Sequence, residues 1–351
     1  MKIGIISDTH IGKSLKTNTT IESRAKLKDK IFKTAREATF LLREAGAATT
    51  IHTADLFDKS INDETDILSG SLVAQNCDFV MFGNHDDRNR KDTTSSIGLL
   101  KSLSHSDKFI ASRWEPGFSR KKGEDFNLYF IPHCVSQEVF EASLLKAKES
   151  AIRSINNYLF LHCNYDNGLV TDKEQNLNLT EEMADVLLED FEFIIMGHEH
   201  QLAKRKDGRV ISVGTTHPTS YSDISEKFVT VIDTASKEVK HISTWSMDNS
   251  ITVDVNEFVS PEFLSKLETV EFIDVVGEAP TNLAIKVSDA VSEVWKSAGN
   301  LIALRTSKIE YQGEETSESV EINLESLPEV MMSELTGEVG EILKEALEAV
   351  K

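Results

Sequence analysis

Five short apolar runs in this chain stop abruptly at side chains that carry oxygen or imidazole. IGIIS (3–7) runs into Asp8 and His10. TTIHTA (49–54) runs into Asp55 and, three residues on, Asp58. CDFVMFG (77–83) runs into Asn84, His85 and Asp86. NYLFL (157–161) runs into His162, and FIIMG (193–197) runs into His198 and His200. Residues two apart on an extended segment point the same way, so Asp8 with His10, and His198 with His200, can each address one point. A single such ending is no more than a pair of solvated loop residues. Five of them constrain the fold, because they work together only where strand ends gather on one rim. Layered α/β architectures do this.

The intervening segments agree. Ala25, Ile31, Ala35, Ala38, Leu41 and Leu42 form a helical stripe over 22–45, with Gly46 as its stop. Helices are expected at 63–76, 94–104 and 180–190, the last capped by Thr180 with acids in its first turn. Strands are expected at 127–131, 157–162, 192–196, 209–213 and 228–233, and Asp207-Gly208 reads as a hairpin turn. After 250 the pattern becomes strand 270–276, helix 282–298 and strand 301–310. Residues 312–328 are polar and acidic, a linker composition. Residues 329–351 carry Leu335, Val339, Leu343 and Leu347 at a spacing of four. The expected organisation is therefore a catalytic domain at 1–250, a small domain at 251–311, a linker at 312–328 and a helical segment at 329–351. A length of 351 residues suits two cores.

The net charge is −20, and the residues after 250 hold 21 acids against seven bases. That balance argues against a surface coated for nucleic acid but leaves room for a local basic groove. Cys77, Cys134 and Cys163 form no CxxC pair, so neither a disulfide framework nor a zinc–thiolate site is expected. No apolar run approaches the roughly 18–20 residues of a membrane span. MKIGIISDTH has no signal-peptide layout, and a cytoplasmic location is expected.

Carboxylate, amide and imidazole donors without thiolate suit Mn²⁺, Fe²⁺ or Zn²⁺. The ligand-type residues exceed what one ion needs. They suit two ions that share a bridging carboxylate and clamp the attacking and leaving oxygens of a phosphoryl displacement. A further histidine could then protonate the leaving oxygen.

The set D-x-H, D-x-x-D, GNHD, H and GHxH over roughly residues 1–220 resembles the calcineurin-like metallophosphoesterases. MKIGIISDTHIGK, ADLFD, GNHDD, IPH (131–133) and the strand–helix–strand segment resemble the SbcD-type repair nucleases, including those of T-even bacteriophages. The resemblance implies a β-sandwich flanked by helices, with a small α+β cap and a C-terminal helical tail. It assigns Asp8, His10 and His200 to one metal and Asn84, His162 and His198 to a second, with Asp55 bridging. His85 becomes the leaving-group histidine, oriented by Asp86. The implied activity is DNA exonuclease and endonuclease cleavage dependent on two Mn²⁺ ions, with Mg²⁺ as the alternative metal. The implied partners are an SMC-like ABC ATPase docked through 329–351 and a second copy of the chain. That copy would meet helices 63–76 (Ile67, Leu68, Leu72) and 94–104 (Ile97, Leu100, Leu103). The alternative is a phosphoprotein phosphatase or a small-molecule phosphodiesterase.

One position departs from the family pattern. Ala54 stands where Gly usually precedes the bridging Asp, and Ala fits only if φ is not positive there. Lys13, Arg88, Arg90 and Lys91 lie one step from the motifs and are candidate phosphate contacts, giving affinity without sequence readout. His133 and His217 are candidate substrate contacts or structural residues. His52 reads as a core histidine, and Asp58 as the partner of a nearby base or a helix cap.

Overall fold

The computed structural model describes residues 1–15, 20–87, 95–104, 106–123, 125–167 and 177–312. The first half-sandwich runs β1 (Lys2–Ile6), α1 (Ile21–Glu44), β2 (Thr49–His52), α2 (Glu64–Gln75), β3 (Phe79–Met81), α3 (Ser96–Ser104) and β4 (Phe109–Ile110). The second runs β5 (Ser119–Lys122), β6 (Phe126–Ile131), α4 (Gln137–Glu149), β7 (Asn156–His162), β8 (Asn164–Tyr165), β9 (Asn178–Leu179), α5 (Glu181–Leu187), β10 (Phe193–Gly197), β11 (Ala203–Arg205) and β12 (Val210–Ser212). The chain then returns to the first sheet with β13 (Lys227–Asp233) and β14 (Val239–Trp245).

Two six-stranded sheets result, ordered β14-β13-β1-β2-β3-β4 and β11-β12-β10-β7-β6-β5. Strands β1 to β4 are mutually parallel, and so are β6, β7, β10 and β12. β13 closes the first set antiparallel to β1, pairing Asp233 with Lys2. The alternation of side chains explains the layers. Ile3 and Ile5 of β1, Tyr158 and Phe160 of β7, and Phe193 and Ile195 of β10 fill the space between the sheets. Their alternate neighbours face the helices: Ile6 toward the α1–α3 core, and Leu159, Leu161, Ile194 and Met196 toward the α4–α5 core. Strands buried on both faces read as continuous apolar runs rather than alternating ones.

Four helices of the two half-sandwiches begin where a short polar side chain satisfies a free backbone N–H. Thr20 accepts from Ser23 N, Asp63 from Asp66 N, Ser136 from Val139 N and Thr180 from Met183 N. The Asp207-Gly208 turn joins β11 to β12, with Lys206, Asp207 and Gly208 all at positive φ. Helix α4 was not anticipated from the sequence. Helix α3 turns differently from the expected contact surface: Ile97 and Leu100 belong to the core, Leu100 at 8% exposure, while Leu103 is 68% exposed. Leu68 on α2 is 62% exposed. Leu100 is therefore removed from the expected dimer contact, because it already packs against its own sheet.

The C-terminal unit is a parallel sheet of β15 (Ser250–Asp254), β16 (Phe272–Pro280) and β17 (Ala303–Gln312), with α6 (Val255–Phe258) and α7 (Ala284–Ser297) over a core of its own. Phe272, Ile302 and Ala303 also enter the first half-sandwich's core. Trp245 Nε1 donates to Glu271, and Arg305 lies 4.5 Å from the Tyr221 ring centroid while pairing with Asp274. The linker beyond 312 and the expected docking segment 329–351 lie outside the described residues. No helix among the described residues is long and apolar enough to cross a membrane.

Candidate metal centre

The parallel strands β1, β2, β3, β7 and β10 deliver their C-terminal ends to one rim, where the two sheets meet. The turns after β1 and β2 run side by side. Asp8 N donates to Ala54 O, His10 N to Asp55 O and Ile11 N to Leu56 O, at 2.9–3.1 Å. At Gly197 the sheets approach closely: a Cβ there would lie 2.6 Å from Ser7 Oγ and 2.9 Å from His162 Nδ1. A Cβ at Gly83 would overlap the Asp55 carboxylate. Both glycines are needed for space rather than for conformation.

Seven side chains converge at this rim. Donor atoms of Asp8, His10 and His200 lie within 4.8 Å of one another, as do those of Asp55, His162 and His198. Asn84 Oδ1 lies 2.9 Å from His162 Nε2 and 3.2 Å from His198 Nδ1. His162 Nε2 is 3.2 Å from Asp55 Oδ2, and His10 Nε2 is 3.9 Å from that same oxygen. Asp55 therefore sits between the two groups.

The donor set fits cations. His162 Nδ1 faces the Thr53 carbonyl at 3.3 Å and can only donate there. Its Nε2 lone pair then points at two acceptor oxygens, an arrangement that requires a proton or a metal ion between them. His10 Nε2 and His200 Nε2 face each other at 3.3 Å in the same way. Asp8 and Asp55 are essentially unexposed. Burial pushes Asp8 up to about 7. Burial also lifts Asp55, but the neighbouring imidazoles, His162 first, hold it well below the usual carboxylate range. Burial lowers His162, yet Asp55 outweighs it and raises the ring to about 9. Burial lowers His10 well below its ordinary value and His198 to about 3, so these rings are neutral and available as ligands.

The backbone here is strained. Asp8, His10, Asp55 and His198 have φ of 48°, 41°, 51° and 85°, and Ala54 has 91°. Non-glycine residues persist in such conformations only where the surroundings over-determine them. The expectation that Ala54 avoids positive φ is thus corrected. The fully buried alanine is held there by the Asp8 N–H on its carbonyl and by the inter-sheet core.

Asp86 is also corrected. Its carboxylate does not orient His85; it is buried and accepts from the backbone N–H groups of Leu56, Phe57 and Gly83. His85 is instead set by Asp58 and Asp55: its Nδ1 lies 2.8 Å from Asp58 O, and its backbone N donates to Asp55 Oδ1. The Asp58 carboxylate pairs with Lys13 Nζ at 2.7 Å and lies 3.6 Å from His10 Nδ1. Lys13 is thus tied at the rim rather than free.

His133 and His217 are buried, and burial lowers them to about 4 and about 3. The site's own groups, His162 and Asp55 for His133 and His200 for His217, act on both. His52 is a core residue whose Nε2 bonds Thr9 Oγ1. Arg88, Arg90 and Lys91 lie outside the described residues. Sequence reading missed two supports of the GHEH turn. Glu199, between the two histidines, accepts from Tyr165 N and pairs with Ser212 and Arg205. Thr219, Asp223 and Lys227 stand behind His200. Only their tertiary neighbours give these ordinary polar residues a role.

The calcineurin-like phosphoesterase superfamily domain matches residues 1–237. A search of curated proteins by sequence finds no match. Among solved structures, TT1561 of Thermus thermophilus is similar at 10% identity and a TM-score of 0.44, over 70% of this chain and 99% of that one. A dimetal phosphatase from Danio rerio is 12% identical with a TM-score of 0.41, over 70% and 96%. An archaeal phosphodiesterase is 17% identical with a TM-score of 0.35, over 69% and 99%.

Proposed function

This chain belongs to the calcineurin-like phosphoesterase superfamily, and on that premise we propose that it is a two-metal, Mn²⁺-dependent DNA nuclease. The observation that carries the reading is the convergence of seven donor side chains from five strand ends, with Asp55 between the two groups. Asp8, His10 and His200 would hold one ion, Asn84, His162 and His198 the other, with Asp55 shared. Such ions supply Lewis-acid charge at a phosphodiester and activate water. His85 acts on the leaving side. Its Nδ1 proton is committed to the Asp58 carbonyl, so its transferable proton is on Nε2. Lys13, held by Asp58, places positive charge beside the rim. The motif resemblance and the appended three-stranded unit favour DNA as the phosphodiester.

The exposed Leu68 and Leu103 support a homodimer through α2 and α3. Residues 329–351 would dock an SMC-like ATPase, and deleting them should abolish co-purification with that ATPase while leaving Mn²⁺-dependent cleavage intact. The deciding assay offers the purified protein with Mn²⁺ three substrates: duplex DNA, single-stranded DNA and a phosphoserine peptide. Cleavage of DNA but not peptide is expected. Dephosphorylation without DNA cleavage would replace this reading with a phosphatase.

A further inference from the structure

A row of buried polar groups runs from the metal rim into the protein behind His200, and none of its members is a ligand. Lys227, the first residue of β13, donates from Nζ to Asp223 Oδ1 at 2.5 Å and to the His200 carbonyl at 2.9 Å. Asp223 closes the 3₁₀ turn Tyr221–Asp223, and its Oδ2 accepts from Thr219 N at 3.1 Å and Thr219 Oγ1 at 2.8 Å. Thr219 Oγ1 lies 2.8 Å from His200 Nδ1. Thr219, Asp223 and Lys227 are all buried.

The direction of each hydrogen bond follows from counting protons. An ammonium can only donate, and a carboxylate can only accept. The threonine hydroxyl has one proton, which goes to Asp223. Towards His200 the hydroxyl can therefore only accept, so His200 Nδ1 must be the protonated nitrogen. That leaves the lone pair on Nε2, the atom facing His10 Nε2 at 3.3 Å. Fixing the far nitrogen of a histidine ligand sets its tautomer and ring orientation, and loss of such a partner typically costs about 10–100-fold in metal affinity.

We propose that Thr219, Asp223 and Lys227 are positioning residues for His200, holding it in the tautomer that presents Nε2 to an ion. This rests on the two-metal reading of the rim but not on DNA as substrate. Lys227 has two tasks: it neutralises a buried carboxylate and pins the His200 backbone carbonyl. The other histidine of the pair, His198, has no part in this row, so the effect is confined to one ion.

The test is calorimetric titration of Mn²⁺ into the full-length wild type, Thr219→Val and Thr219→Ser, with melting of the metal-free proteins alongside. Valine keeps the shape and deletes the acceptor; serine restores the hydroxyl. Thr219→Val should fold with a lowered metal-free melting temperature, since a buried hydroxyl's two hydrogen bonds are lost, bind one ion as the wild type does and bind the other about 10–100-fold more weakly. Thr219→Ser should recover wild-type affinity. The weakened ion should be the one that His200→Ala removes. Two ions bound with wild-type affinity by Thr219→Val, or a loss on the ion that Asn84→Ala removes, would overturn the proposal. If Thr219→Val does not fold, the paired Asp223→Leu, Lys227→Met variant gives the same reading, because it removes the acceptor that fixes the direction of the Thr219 hydroxyl. A wild type that binds two ions and cuts no DNA would sink the nuclease reading and leave this one standing.

Discussion

His10 Nε2 and His200 Nε2 lie 3.3 Å apart although 190 residues separate them in the chain. Two nitrogens at that distance need a proton or a cation between them. In the metal-free protein protons do this work at the rim: burial raises Asp8 to about 7, and His162 reaches about 9 because Asp55 outweighs its burial. An incoming ion must displace them, so metal affinity should rise with pH up to about 9, most steeply below about 7, where both groups carry a proton. The expected slope is about tenfold per pH unit for each proton displaced. Calorimetry in buffers of different ionisation enthalpy would show the released protons, and a pH-independent affinity would contradict the arrangement.

His85 and Asp86 adjoin in sequence but should fail in different ways. His85→Gln should keep both ions and lose at least about 10²-fold in rate, the scale of a general acid. Asp86→Ala strips the acceptor from the buried N–H groups of Leu56, Phe57 and Gly83. At roughly 1–3 kcal/mol for each unsatisfied group, it should cost about 3 kcal/mol or more of stability. Denaturant melts would separate the two, and a fully stable Asp86→Ala protein with selectively lost catalysis would restore its orienting role.

Ala54 at φ 91° tests how much strain the rim tolerates. Relief on substitution by Gly is worth about 1–3 kcal/mol. Against it stand about 0.4–1 kcal/mol of chain entropy and roughly 0.8 kcal/mol for the buried methyl. Ala54→Gly should therefore fall between about 1 kcal/mol less and about 2 kcal/mol more stable than wild type. Ala54→Val adds a β-branched side chain at positive φ in a fully buried position and should destabilise by about 3 kcal/mol or more. A tolerated valine would show that the turn can relax.

Leu68→Glu with Leu103→Glu should yield a monomer with an unchanged melting temperature, since both side chains are exposed. Leu100→Glu should unfold the protein instead, because Leu100 belongs to the core. Light scattering at micromolar concentration reads the first result, and a wild type already monomeric there would remove the dimer.

What the sequence disclosed is local. Asp8 and His10, or His198 and His200, announce themselves because an apolar run and its ligands are contiguous. The cap Thr180 is legible for the same reason. What stayed hidden depends on tertiary neighbours. Asp86 sits beside His85 in sequence, yet the Asp58 carbonyl reaches the ring first. Leu100 and Leu103 share a stripe, and only docking of α3 decides which of them the core takes. Helix α4 carried its signal in Ser136, Val139, Phe140 and Leu144, a cap followed by an apolar face. The strands of the second half-sandwich gave no clue to which face met the other sheet, because both are buried.

The pairing of Lys2 with Asp233 has a consequence for biosynthesis. β1 is made long before β13, yet it lies in its sheet between β2 and β13. While β2 and β3 emerge, one edge of β1 remains open for nearly the whole of translation of the domain. Open apolar edges are the sites at which slow, long-range folds aggregate. A nascent chain halted before residue 227 has both half-sandwich segments but no closing strand. Such a chain should bind chaperones that the released protein does not.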